Sequence, residues 1–284
     1  MMMNKLYFPF YYLYVSRLKT KLEQISWIII FIIPQLLVTH QYQTLSSVIF
    51  ILLFFTSQVV FNSLYEIGYI ENDVKTSKIE KKPTIRLNNN MNSFVEDHYL
   101  SLVNTRYFVV LFLLTFLLIA KQKMNIDLYI MQFVILLVVT RLVFLIHNKI
   151  RNLGNLFSFS ILAITKYIFP VILFVPVNQL IFPVVLLFFL FPLIRIIEHS
   201  THKRYGFNQY AKLIGNHDIF RIYYYLILLI LSVILFIEEV VTYNDSLLTF
   251  MTIIYFFLFR LFSLFLIKKG YYIRSQEKSK DLLR

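Results

Sequence analysis

The chain has 284 residues, 58% hydrophobic and 18% aromatic against 15% charged, with a net charge of +13. A water-soluble domain of this length cannot cover so much apolar surface with so few charges. The absence of cysteine excludes a disulfide framework and any Cys-ligated metal.

The apolar runs are rich in Leu, Ile and Phe and lack the alternation of a membrane barrel. They imply an all-α, polytopic membrane bundle, because a helix satisfies its own backbone hydrogen bonds in lipid. Residues 1–24 are aromatic first and basic later, at Arg17, Lys19 and Lys21, with no small-residue cleavage site. They do not read as a signal peptide, and 7–24 predicts an interfacial helix lying on the membrane. A hydrocarbon core of about 30 Å asks for about 20 apolar residues per helix. On that measure about eight spans fall near 25–40, 46–69, 107–120, 127–147, 157–176, 180–197, 219–238 and 246–267. The third is short, and 97–106 offers it an earlier start. The bundle thus occupies 25–270, and 271–284 forms a basic tail.

Three cations fall inside spans, where a charge marks a functional site by default. Arg141, six residues before His147, points toward a phosphate in the bundle interior. Lys166, in mid-span, predicts an interior ion pair or a phosphate contact. Arg260, near Lys268, predicts simple snorkelling to the surface. With eight spans, every basic cluster lands on one face, which the positive-inside rule makes cytoplasmic together with both termini. The same charge binds anionic membrane lipids. Nucleic acid is excluded as a partner, since no soluble domain holds the basic residues in a groove.

One polar segment exceeds what topology needs. From Asn62 a continued helix puts Glu66, Tyr69, Asp73, Thr76 and Glu80 on one face, beside Lys75, Lys78, Lys81, Lys82 and Arg86. Carboxylate oxygens next to a Lys/Arg cluster suit Mg²⁺ bridging to phosphate oxygens, with the cations neutralising the remaining charge. The same residues also read as a charged helix end with internal ion pairs, such as Glu80 with Lys81 or Lys82.

The segment resembles the first acidic motif, N-D-x-x-D-x-x-x-D, of the UbiA superfamily of intramembrane prenyltransferases. It is most similar to the polyprenyl-phosphate phosphoribosyltransferase branch. Tyr69, Ile70, Asn72 and Asp73 match directly, Glu80 falls on the third acidic position, and Pro83, Thr84 and Arg86 fit the tail that follows. Thr76 stands where the middle aspartate belongs, which leaves an oxygen for Glu66 or Glu71 to supply. After span six, Glu198 and His202, with Lys203 and Arg204, occupy the place of the second motif, D-x-x-x-D. His147, Asn148, Lys149 and Arg151 end span four, where the family places phosphate-binding residues. His199 and His202 alone are a thin basis for zinc.

The resemblance implies a UbiA-like bundle of eight or nine helices whose cytoplasmic loops cap a central cavity. It also implies a Mg²⁺-dependent transferase that uses a polyprenyl lipid and a diphosphate-bearing co-substrate. The expected reaction moves a phosphoribosyl-type sugar from its diphosphate to a polyprenyl phosphate. Asp73, Glu80 and Glu198 are then the metal ligands, with Asp73, Asn72 and Glu80 at the chemistry. Glu66, Tyr69, Lys75, Lys78, Lys82, Arg86, Arg141, His147, Asn148, Lys149, Arg151, Lys166, Glu198, His202 and Lys203 are the substrate contacts. Prenyl transfer to an aromatic or other acceptor is the alternative reaction. A flippase or transporter subunit for lipid-linked sugars is the alternative without chemistry.

Overall fold

A computed structural model describes residues 3–79, 85–150, 152–240 and 242–271. Among the described residues all regular structure is helical. Seven helices are long and apolar enough to cross a membrane: Lys21–Tyr42, Ser47–Thr76, Tyr99–Met124, Ile130–Lys149, Leu153–Phe174, His217–Ile237 and Tyr243–Lys268. A helix pair, Ile181–Leu190 and Pro192–Ser200, is bent by 42° and makes an eighth crossing if counted as one. Counted so, it is span six, and the last two helices are spans seven and eight. The third span does start early, at Tyr99.

The outer faces are apolar, as at Leu111, Phe112, Ile227 and Ile230. In water such a surface would aggregate, whereas hydrocarbon accommodates it. Polar side chains point inward instead: Gln35, Ser57, Gln58, Asn62, Glu66 and Thr140 are all buried. Gln58 donates to Gln35 at 2.8 Å, and Asn62 donates to the Gln58 carbonyl at 2.8 Å. Gln35 in turn donates to the carbonyl oxygens of Lys166 and Tyr167, both at 3.0 Å, so spans one, two and five share one amide chain. Its cause lies in Pro170, which has no N–H for the Lys166 carbonyl four residues earlier. In a membrane that carbonyl must find another donor, and Gln35 supplies it.

Tyrosine hydroxyls do the same work at other breaks. Span one passes through a π-helical turn, Ile28–Ile32. Tyr255 donates to the Ile29 carbonyl at 2.8 Å and Tyr167 to the Ile30 carbonyl at 2.7 Å. At the bend of span six, Pro192 starts a new helix, and the carbonyls of Phe189 and Leu190 are left at a helix end. Tyr224 and Tyr225 of span seven donate to them, each at 2.6 Å.

The N-terminal segment departs from the expected surface helix over 7–24. It forms a 3₁₀ turn, Met3–Tyr7, and a short helix, Tyr11–Ser16, before span one begins at Lys21. Leu6, Tyr12 and Leu13 are buried in the end of the bundle. The reason is an ion pair wholly inside the protein. Arg106, fully buried in span three, donates through Nε to Glu66 at 2.9 Å. Its other nitrogens donate to the carbonyls of Leu6, Tyr7 and Phe8, which close the 3₁₀ turn. Glu66 also accepts from the Leu13 backbone N–H at 2.9 Å, an unpaired donor of a helix first turn. Two buried charges are thus offset by backbone groups of the N-terminal segment, which is drawn in from the surface.

Candidate functional site

The second span ends in a π-helical turn, Asn72–Thr76, closed by the Ser77 N–H donating to the Asn72 carbonyl at 3.0 Å. Such widened turns occur often at functional sites. Here it buries Asp73 and Thr76 while Lys75 stays exposed, with its ammonium 4.2 Å above the Tyr99 ring.

A cavity of about 1170 Å³ opens beside this turn. The ends of spans two and four and the loop after span six converge on it. Among the described residues its cations are Arg17, Lys75, Arg86, Lys149 and Arg204, and its one carboxylate is Glu71. Glu71 is already matched, because Arg141 binds it through both terminal nitrogens at 2.7 and 2.5 Å and also donates to the Tyr107 hydroxyl at 2.9 Å. Tyr65, Tyr69, Phe144 and Phe159 form apolar wall, and Asn72, Thr76, His147 and Asn148 add neutral polar groups. Asn148 donates to the Gly68 carbonyl at 3.1 Å, while its Oδ1 is buried with no partner. Gly68 is needed for that approach, since a Cβ there would lie 2.3 Å from the Phe144 ring.

Asp73 sits behind the cavity rim and organises it. Arg17 donates to its two oxygens at 2.9 and 3.1 Å, Arg86 donates at 3.0 Å, and Tyr12 at 2.9 Å. Asn72 adds a contact at 3.3 Å. Burial, with the Asp73 carboxylate next, pushes the Tyr12 phenol up, so it stays protonated and donates. Burial, then neighbouring Arg17, draws the Arg86 guanidinium down from its usual range, and Asp73 opposes that. Arg17 also lies 4.4 Å over the Tyr69 ring.

The expected residues therefore divide. Tyr69, Asn72, Lys75, Arg86, His147, Asn148 and Lys149 line the cavity. Glu66 does not contact it, being committed to Arg106. Arg141 reaches it only through Glu71, and Lys78 pairs instead with Glu96 at 2.8 Å. Glu198 is held by Arg221 and by Arg195, the latter at 2.7 Å. His202 and Lys203 are exposed outside the cavity. Partial burial of its ring, then Arg204, pushes the His202 imidazole below its usual value. Glu80, Lys82 and Arg151 lie outside the described residues, as do residues 272–284 of the tail.

The described carboxylates do not fit a hard divalent cation. Magnesium needs oxygen ligands whose lone pairs face it in near-octahedral array. Asp73, Glu71 and Glu198 each already accept from one or more guanidinium groups. Among the described residues no group of three or more His, Asp or Glu side chains is placed to hold a metal.

Sequence reasoning missed Arg17, which reads as a topology charge, and Arg204, which reads as loop. Arg204 donates to Asn155 Oδ1 at 2.7 Å and lies 3.0 Å from the His199 ring nitrogen, which fixes it at the cavity edge. Fold and site define a polytopic helical membrane protein with a cationic, aromatic-walled cavity at one end of its bundle. The chain matches no protein-family model, no curated protein and no solved structure.

Proposed function

We propose that this protein is an intramembrane transferase that moves a phosphoribosyl-type sugar from its diphosphate to a polyprenyl phosphate, in a UbiA-like bundle. The observation that carries this reading is the large cavity, which among the described residues has five rim cations against one carboxylate already paired to Arg141. A diphosphate is the ligand whose charge such a rim matches, through guanidinium forks and ammonium points. Asn72, Thr76 and the unpartnered Oδ1 of Asn148 suit sugar hydroxyls, which a prenyl diphosphate lacks.

In the reaction, the bond from the sugar carbon to the diphosphate oxygen breaks, and its electron pair leaves on the diphosphate. An oxygen of the lipid phosphate forms the new bond, and being anionic it needs no general base. Arg17, Arg86, Lys75, Lys149 and Arg204 stabilise the charge that grows on the leaving group. Asp73 acts as a positioning residue for the first two. Magnesium, which the resemblance implies, finds no donor set among the described residues, and the expected ligand Glu80 lies outside them.

A second reading has a specific observation behind it. Because Asp73, Glu71 and Glu198 are all engaged by arginine, the cavity also suits non-catalytic carriage of a lipid-linked phosphate. Purified protein given a phosphoribosyl diphosphate and farnesyl phosphate, with and without magnesium, separates the two. Pyrophosphate release that requires both substrates supports the transferase. No release, together with movement of a labelled lipid phosphate across proteoliposomes, supports carriage instead.

A further inference from the structure

A second cavity of about 350 Å³ lies between spans one and eight, behind the aromatic wall of the first. Tyr65, Tyr69 and Phe159 line both. Arg195 and Arg221 border the second cavity, but Glu198 and Asp218 match them. Two other cations on its wall make no ion pair among the described residues, although Glu23 also lines the cavity and Arg260 interacts with Glu198 and shares a hydrogen bond with Tyr225. Lys166 donates to the Tyr69 hydroxyl at 3.3 Å and lies 4.7 Å from the Tyr65 ring and 5.2 Å from that of Phe31. Arg260 is 91% buried, its guanidinium lies 5.4 Å from the Phe259 ring centre, and its Nε has no hydrogen-bond partner. Trp27, on the opposite wall, also has a buried Nε1–H without a partner.

Two cations without an ion pair, one of them with an unpaired Nε–H, and the unpaired Trp27 N–H are costly in a membrane unless an anion meets them. Phosphate has the negative charge and the acceptor oxygens that such groups take. The lipid-facing sides of spans one and eight, such as Ile25, Ile28, Phe262 and Phe265, are apolar. They suit a hydrocarbon chain on that phosphate.

We infer that the cavity between the first and last spans is a separate binding site for the phosphate head of a long-chain lipid monophosphate, held by Lys166 and Arg260. The ligand is of the class that the transferase reading gives its acceptor, and in that respect the inference rests on that reading; the site itself requires no chemistry at the first cavity. Arg260 is then an internal counter-charge, and the snorkelling expected of it is overturned by its burial.

The chain carries a built-in reporter, because Trp27 is its single tryptophan. Full-length protein in detergent is titrated with farnesyl phosphate, farnesol and inorganic phosphate while Trp27 emission is followed. Farnesyl phosphate is expected to give a saturable change, farnesol none, and inorganic phosphate only at far higher concentration. Lys166→Met and Arg260→Met should each weaken farnesyl phosphate by about tenfold or more, and Arg260→Lys should restore much of the loss. If Arg260→Met does not fold, Lys166→Met and Arg260→Lys decide. Equal responses to farnesol and farnesyl phosphate overturn the inference, as does inorganic phosphate saturating at the same concentration, or unchanged affinity in Lys166→Met. Pyrophosphate release without any Trp27 response overturns this site and leaves the transferase standing. A Trp27 response that fits these expectations, without pyrophosphate release, does the reverse.

Discussion

Glu66 and Asp73 lie two helical turns apart on one face of span two, and both receive the N-terminal segment. Their surroundings give them different work. Glu66 meets a guanidinium that is fully buried, so removing its charge leaves Arg106 without a counter-ion inside the bundle. Glu66→Gln should therefore cost about 3–5 kcal/mol of stability, read as a large drop in thermal midpoint in detergent. Asp73 faces Arg17 and Arg86, which are 18% and 30% exposed and can still reach water. Asp73→Asn should leave the fold nearly intact yet release both arginines from the rim, weakening a diphosphate ligand by about a hundredfold. Isothermal titration with pyrophosphate beside a melting curve checks the pair. Matching losses of stability in both variants would remove the distinction. Tyr69 and Asp73 are legible in sequence because local helical spacing groups them, and Asn72 because of the acidic motif that the segment resembles. Arg17 and Asp73 are 56 residues apart, and Arg106 and Glu66 are 40 apart. No periodicity joins charges at such separations, so the arginine partners that turn Asp73 from a candidate metal ligand into an organiser stay hidden.

Each break in a helix here is answered by a side chain from another helix. The Pro170 break has Gln35, the π-turn of span one has Tyr167 and Tyr255, and the bend at Pro192 has Tyr224 and Tyr225. The type of span is readable from apolar length alone, since lipid permits so few structures, and the expected eight compare with seven single helices and one bent pair. Pro170 and Pro192 are visible in the sequence as breakers, but which side chain repairs each break depends on helix neighbours that an all-apolar span does not declare. The same ambiguity placed the N-terminal segment on the surface, because its aromatic and basic pattern fits an interface as well as a docked turn. Gln35→Leu removes the donor for the Lys166 carbonyl and should destabilise the bundle by about 1–2 kcal/mol. Tyr225→Phe should cost about as much through the Leu190 carbonyl, and Tyr223→Phe, whose hydroxyl makes no described hydrogen bond, should cost little. Gly68→Ala acts through packing. With a Cβ 2.3 Å from the Phe144 ring, spans two and four must separate there, so the aromatic wall of the first cavity shifts and ligand affinity falls. Thermal midpoints for the first three and pyrophosphate titration for the last test these outcomes.

At the scale of the whole molecule, the two ends of the bundle differ in charge and in which loops they gather. His147, Asn148 and Lys149, which end span four, line the same cavity as His199 and Arg204, which follow the bent pair. Span five leads away from that end, so the bent pair must lead back to it and counts as a crossing. At the other end Tyr42, Asn178 and Asp245 meet around a separate pocket, and the Tyr42 hydroxyl donates to Asp245. The even count puts Arg17, Lys75, Arg86, Lys149 and Arg204 together, whereas the opposite end carries Lys121, Lys123, Glu238, Glu239 and Asp245. By the positive-inside rule we propose that the cationic cavity faces the cytoplasm, where a water-soluble diphosphate donor would meet it. Because the chain has no cysteine, single substitutions report sidedness without background. Lys203→Cys and Lys78→Cys, both at exposed positions, should react with a membrane-impermeant maleimide only after the cells are opened. Lys123→Cys and Asn178→Cys should react in intact cells. Labelling of the first pair from outside would reverse the orientation and move the cavity away from any cytoplasmic donor. Labelling of Lys123→Cys and Lys203→Cys from the same side would deny that the bent pair crosses, and with it the convergence of spans two, four and six on one site.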